Sequence, residues 1–226
     1  MGKPTALDDF ARGAFALAYE NGQIEIRDSA GALTRSGSAA SQATTPAIMV
    51  RGRRGNLVLV GTRDGLTALT ADTLQPLGRV ALDNDQSRGN LTAEDLDGDG
   101  IVEVLMTTGR GHVVLVNTSD GKIMWDIAAR NDNGNFAFAD LNRDGVIDVF
   151  TSDGPNLLAL SGRDGSVIWR DTETSPIIAN HTASFSTRAA TALPSGSAAV
   201  VIVNEPARGG LRAMTFPNAS VRPLSH

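Results

Sequence analysis

Two segments of this chain place oxygen donors at a spacing that suits a hard cation. One is Asp95-Leu96-Asp97-Gly98-Asp99-Gly100-Ile101-Val102-Glu103; the other is Asp140-Leu141-Asn142-Arg143-Asp144-Gly145-Val146-Ile147-Asp148. Both read Asp-x-Asp/Asn-x-Asp-Gly-x-x-Asp/Glu, and they start 45 positions apart. In the first, the side chains of Asp95, Asp97, Asp99 and Glu103 and the carbonyl of Ile101 can converge on one ion. In the second, Asp140, Asn142, Asp144 and Asp148 do so with the carbonyl of Val146. The glycine after the third ligand lets the chain reverse sharply around the ion. An all-oxygen donor set selects Ca²⁺ over zinc or copper. An EF-hand would need an acidic residue at its twelfth position, where these loops have Met106 and Thr151. It would also need flanking helices, and β-rich runs flank both loops.

The two loops differ in charge. The first offers four carboxylates and the second three plus an amide. Unliganded carboxylates this close repel, so calcium is expected at two sites, to stabilise the fold by mass action, and to bind more tightly at the first loop.

Other chemistry is thinly supplied. The chain has no Cys, which excludes disulfides, thiolate zinc sites and cysteine nucleophiles. His112, His181 and His226 are scattered, and no Gly-x-Ser-x-Gly, His-Glu-x-x-His or P-loop sequence occurs. No catalytic residue is therefore nominated. Arg51, Arg53 and Arg54 read as solvated turn residues, with an anionic partner as the alternative. Trp125 and Trp169 recur with the repeat and read as packing residues.

The elements that must position the loops form a repeat. Ile101–Met106, Gly109-Arg110-Gly111, His112–Val116 and Ser119–Trp125 are matched by Val146–Phe150, Asp153-Gly154-Pro155-Asn156, Leu157–Leu160 and Arg163–Trp169. Weaker copies lie near Asn56–Leu69, Phe15–Ile26 and Ala199–Met214. Short apolar runs joined by glycine turns read as hairpins, and one more run precedes each unit. Four strands per unit of about 45 residues is the spacing of β-propeller blades. The expected fold is all-β: a propeller of about five four-stranded blades, either a closed five-blade ring or an arc of a larger one. A single domain over 1–226 is expected, with repeats near 1–35, 45–80, 90–127, 135–171 and 184–223. The first unit reads as lacking its innermost strand, residues 34–45 as a polar loop, and 171–187 as a Ser/Thr-rich insertion.

The carboxylate loops, with Ala93-Glu94 before the first and Phe138-Ala139 before the second, resemble the FG-GAP/VCBS repeats of integrin-α-like propellers. The runs Val114–Trp125 and Leu157–Trp169 look instead like quinoprotein-type (PQQ-like) repeats. These resemblances imply calcium-stabilised blades and ring faces that bind a protein or glycan. They imply no single activity.

Composition narrows the partners. Against 20 Lys and Arg stand 25 Asp and Glu, a net charge of −5 that argues against a nucleic-acid surface. No apolar run reaches the roughly 20 residues of a membrane-spanning helix. The N-terminus shows no signal-peptide pattern, so such a segment is expected to be absent or already removed. The expected role is a non-catalytic binding or scaffold module in an extracytoplasmic protein (secreted, periplasmic or cell-surface). The alternatives are a quinoprotein-like redox domain and an accessory propeller of a carbohydrate-active enzyme.

Overall fold

The computed structural model describes residues 9–10, 13–53, 55–131, 136–154, 156–170, 188–189, 199–205 and 210–216. Among them the regular structure is all β. The first sheet is β1 (Asp9–Phe10), β2 (Ala14–Ala18), β3 (Gln23–Arg27) and β4 (Leu33–Ser38). The second is β5 (Ala43–Gly52), β6 (Gly55–Thr62), β7 (Gly65–Thr70) and β8 (Pro76–Ala81). The third is β9 (Ser87–Glu94), β10 (Glu103–Thr108), β11 (His112–Asn117) and β12 (Ile123–Ala128). The fourth is β13 (Ala137–Ala139), β14 (Asp148–Asp153), β15 (Asn156–Leu160) and β16 (Val167–Arg170). A three-stranded sheet follows: β17 (Arg188–Ala189), β18 (Ala199–Glu205) and β19 (Gly210–Phe216). Each sheet is an antiparallel meander in chain order, the architecture of propeller blades.

Side-chain alternation explains why the sheets stack. Successive residues of a strand point to opposite faces. On β10, Val104 and Met106 join the core shared with the second sheet, while Leu105 joins the core shared with the fourth. On β6, Val58 and Val60 face the first sheet and Leu59 faces the third. Middle strands apolar on both faces therefore bury both, and among the described residues three cores run between consecutive sheets. Ile24, Leu59, Leu105, Met106, Leu115, Phe150 and Leu158 are among the large side chains that are fully buried.

Two expectations are corrected. Most of 34–45 is strand, since β4 runs to Ser38 and β5 begins at Ala43. β4 is an outer strand, largely exposed, so its polar residues give no apolar signal. The first sheet does have an innermost strand: β1 is only two residues long and pairs with Ala14 and Phe15. The 171–187 segment lies outside the described residues.

A bulge recurs between the third and fourth strands of the four complete sheets. It falls after Ile26, Ala68, Leu115 and Ala159, opposite Arg35, Gly78, Trp125 and Trp169 respectively. These four residues are structural equivalents. Trp125 is buried, and its indole Nε1–H donates to the Gly162 carbonyl at 3.0 Å, docking the third sheet on the fourth. Trp169 stacks on Phe150 with ring centroids 5.9 Å apart.

Candidate functional site

The two carboxylate loops occupy equivalent places, joining the innermost strand of a sheet to the next. The first spans β9 to β10 and the second β13 to β14. In the second sheet the same connection is a tight turn after Gly52, where Arg53 stands in place of an acidic loop. This connection thus carries a carboxylate loop in the third and fourth sheets and none in the second.

In the first loop the backbone wraps around its own carboxylates. Asp95 accepts the Gly98 N–H at 2.7 Å with Oδ1 and the Gly100 N–H at 3.0 Å with Oδ2. Asp97 accepts the Asp99 N–H at 3.1 Å, and Asp99 accepts the Ile101 N–H at 2.7 Å. One oxygen from each of Asp95, Asp97 and Asp99 lies within 4.8 Å of the others. Gly98 and Gly100 hold φ of 78° and 83°, a region that favours glycine.

Glu103 stands apart in character. It is buried at the start of β10 and accepts the Leu96 N–H at 3.0 Å with Oε2. Asn117 Nδ2 approaches its other oxygen at 3.5 Å. Burial pushes its carboxyl up to about 7, against the pull of the Leu96 N–H, and Asp97, Asp99 and Asp95 add to the rise. Burial also raises Glu94, beside Asp95.

The second loop repeats the wrapping. Asp140 accepts from Asp144 and Gly145, each at 3.1 Å, and the Asn142 side-chain carbonyl accepts the Asp144 N–H at 2.9 Å. Asp144 accepts the Val146 N–H at 2.9 Å. Asp148 is fully buried at the start of β14, where Leu141 donates at 2.7 Å, Asn142 at 3.3 Å and Gly162 at 3.2 Å. Burial lifts its carboxyl to about 6, opposed by those three N–H groups and helped by Asp144.

All ten sequence-nominated positions therefore lie in two equivalent loops. Only the Asp95, Asp97 and Asp99 side chains form a converging acidic triplet among the described residues. Sequence reading missed three contacts. Arg163 Nε approaches Asp144 Oδ2 at 3.4 Å, placing a guanidinium beside the second loop. Gly162 donates to Asp148. Ile147 donates its N–H to the Leu96 carbonyl at 2.7 Å, joining the loops. The repeat register would have brought Gly162 and Arg163 near the second loop, but nothing in the sequence marks the last bond.

The remaining candidates are accounted for separately. His112 Nδ1 lies 2.6 Å from Asp126 Oδ1 across β11 and β12, in a largely exposed pair. His181, His226 and Arg54 lie outside the described residues. No helix of the described residues is long and apolar enough to cross a membrane.

Successive four-stranded meanders stacked face to face, with a Trp on the outer strand of the third and fourth, define a β-propeller built from PQQ-like repeats. Residues 98–221 match the family model of the outer membrane protein assembly factor BamB, so the chain belongs to that family. A search of curated proteins finds no match. Solved structures share the fold. BamB from Moraxella catarrhalis matches with 14% identity and a TM-score of 0.52, over 98% of this chain and 76% of that one. BBS1N, solved in complex with ARL6DN, matches with 13% identity and a TM-score of 0.65, over 97% and 67%. The dihydro-heme d1 dehydrogenase NirN, in complex with DHE, matches with 12% identity and a TM-score of 0.61, over 97% of this chain and 48% of that one.

Proposed function

We propose that this protein is a non-catalytic β-propeller module whose carboxylate loops each bind one Ca²⁺, and that its stiffened ring faces bind a partner. The observation that carries the calcium reading is the convergence of Asp95, Asp97 and Asp99 oxygens within 4.8 Å, beside the buried Glu103. Three carboxylates so close repel in the absence of a cation, and an all-oxygen set fits calcium. Asp95, Asp97, Asp99 and Glu103, with the Ile101 carbonyl, would hold one ion. Asp140, Asn142, Asp144 and Asp148, with the Val146 carbonyl, would hold the other. In this reading the loops keep an FG-GAP/VCBS character within PQQ-type blades.

The ions act as staples. Each loop links the innermost strand of its sheet to the next, so filling it fixes that pair and, through Leu96 and Ile147, the contact between sheets. The propeller reading takes residues 1–226 as one domain of about five blades, as a ring or an arc. Membership of the family of an outer membrane assembly factor supports an extracytoplasmic setting, where calcium is abundant enough for modest sites. BBS1N, a neighbour in fold, is seen with a partner protein, which supports a protein-binding role.

The test is thermal unfolding and calorimetry of the intact chain, with calcium and with chelator. Calcium at about 100 times its dissociation constant is expected to add roughly 2.7 kcal/mol per site. Identical melting with both additives, and no binding heat, would refute the calcium reading.

A further inference from the structure

Among the described residues, the groove between the second and third sheets is where the sheet-to-sheet packing leaves space. At the two other described junctions that wedge is filled from one side or the other. Between the third and fourth sheets, Trp125 fills it and lies over Gly165; a Cβ on Gly165 would meet the indole at 3.0 Å. Between the first and second sheets, Leu74 fills it: this buried residue holds the turn position of Gly165, at φ 53°, and packs onto Gly37. Between the second and third sheets both positions are glycine. Gly78 is the equivalent of Trp125, and Gly121 the equivalent of Leu74 and Gly165.

A groove of 450 Å³ results, floored by Leu57, Leu66, Ala68 and Val116 and edged by Leu77 and the 118–121 turn. That volume lies within the roughly 300–1,000 Å³ of small-ligand pockets. No atom lies within 4 Å of a Cβ built on Gly78, and the nearest to one on Gly121 is a Val80 methyl at 3.9 Å. The acceptor is in place too. The turn 117–121 is the equivalent of 161–165, so the Thr118 carbonyl corresponds to the Gly162 carbonyl that receives the Trp125 indole. Among the described residues the Thr118 carbonyl accepts no hydrogen bond.

We infer that this groove is a docking site for a tryptophan side chain of a partner polypeptide. The indole would lie over Gly121 against Leu66 and Val116, with its N–H on the Thr118 carbonyl. β8 is the last strand of its sheet, and its free edge can be approached by an extended partner segment. Gly78 leaves the way in open. The inference gives the binding role proposed above a class of partner and rests on it, but not on calcium: failure here leaves the chelator-dependent melting untouched.

The test uses N-acetyl-tryptophanamide as probe, titrated into the full chain in calcium-containing buffer and followed by amide shifts in NMR. Binding between about 0.1 and 1 mM is expected from ligand-efficiency limits. Shifts should centre on Gly78, Val116 and Gly121. The 1-methylindole analogue should bind more weakly by about fivefold, having lost its donor. Gly78→Trp should fill the groove from within, abolish probe binding and raise Tm by about 3 °C or more. Gly78→Leu, a smaller plug, should weaken the probe if the larger variant does not fold. No probe binding to the unmutated chain, or binding that survives either plug, would overturn the proposal. A concentration-dependent dimer that Gly78→Trp dissociates would assign the groove to a second copy and overturn it equally.

Discussion

Ile147 donates its backbone N–H to the carbonyl of Leu96 at 2.7 Å, and this bond joins the two carboxylate loops directly. Leu96 sits between Asp95 and Asp97; Ile147 sits between Val146 and Asp148. The N–H of Leu96 is itself held by Glu103, and Asp148 holds the N–H of Leu141. Glu103 therefore holds the peptide unit next to the one that accepts this bond, and Asp148 follows the donor Ile147 directly in the chain while tying back the start of its own loop. Ordering either loop orders one end of the bond for the other. Two calcium sites arranged this way are expected to bind cooperatively, with coupling of about 1–3 kcal/mol. Calorimetry should show Asp97→Ala weakening the second site as well as the first. A second site unchanged by Asp97→Ala would show that the bond carries no coupling.

On the calcium reading, charge is expected to order the two affinities. With one dication bound, the first loop keeps two surplus negative charges and the second one. Arg163 lowers the second further by approaching Asp144 at 3.4 Å. This side chain is exposed, so its own contribution to stability is small. Its effect on a dication is direct, because both compete for the Asp144 oxygen. Arg163→Gln should tighten calcium at the second loop by about two- to fivefold and leave the first within error, as read by calorimetry. Equal affinities of the two loops in the unmutated protein would sink the ranking.

Glu103 and Asp148 give the calcium-free protein a pH dependence of definite sign. Burial raises Glu103 from 4.5 to about 7 and Asp148 from 3.8 to about 6. A carboxyl raised in the folded state favours folding while it is protonated. Its contribution is full below the unfolded value and is lost as pH rises through the folded one. Without calcium, stability should therefore fall between about pH 4 and pH 7, by roughly 3 kcal/mol for each group. Calcium favours the ionised forms, so saturating calcium should flatten or reverse the slope, and binding near pH 6 should release protons. Urea unfolding across this range, with and without chelator, measures it. A calcium-free profile that rises toward neutral pH would contradict the assignment.

Trp125 tests how the sheets are held together. Its indole fills the wedge beside Gly165 and donates to Gly162. Trp125→Ala should destabilise the protein by about 3–5 kcal/mol through the cavity it leaves. Trp125→Phe keeps part of the volume and should lose about 1–2 kcal/mol, mostly with the hydrogen bond. Chemical denaturation separates the two. Near-equal losses would mean that the hydrogen bond, not the packing, carries the contact.

Residue spacing made the loops legible because cation ligands have to recur at fixed positions around a glycine. The inner strands were legible because Val, Leu and Ile alternate onto two buried faces, as Val104, Leu105 and Met106 do. β4 was not, since Thr34, Arg35 and Ser36 lie on an exposed outer strand and read as loop. Gly162 and Arg163 lie in the same sheet as the second loop, where the repeat register brings them near it. The bond from Ile147 to Leu96 was hidden for another reason: it depends on how one sheet is set against the next, and a backbone donor leaves no mark on residue type. The empty wedge was hidden likewise: that Gly78 and Gly121 line one groove depends on how the second sheet is set against the third.

Gly162 is the point at which these contacts meet. Its N–H donates to Asp148 and its carbonyl receives Trp125. A Cβ there would lie 1.9 Å from the Ile147 carbonyl oxygen, with the carbonyl carbon at 3.0 Å. No rotamer relieves a clash with backbone, so Gly162→Ala must displace either Ile147 or the 161–165 turn. Moving Ile147 strains its bond to Leu96; moving the turn withdraws the Asp148 donor and the Trp125 acceptor. The expected loss is about 3 kcal/mol or more, with weaker calcium binding at the second loop. Gly31→Ala is the control. Its φ of 82° is unfavourable for alanine, but no atom lies within 4 Å. It should lose only about 1 kcal/mol and leave calcium binding unchanged. Equal losses for the two variants would reduce Gly162 to an ordinary turn glycine and remove it from the junction between the sheets.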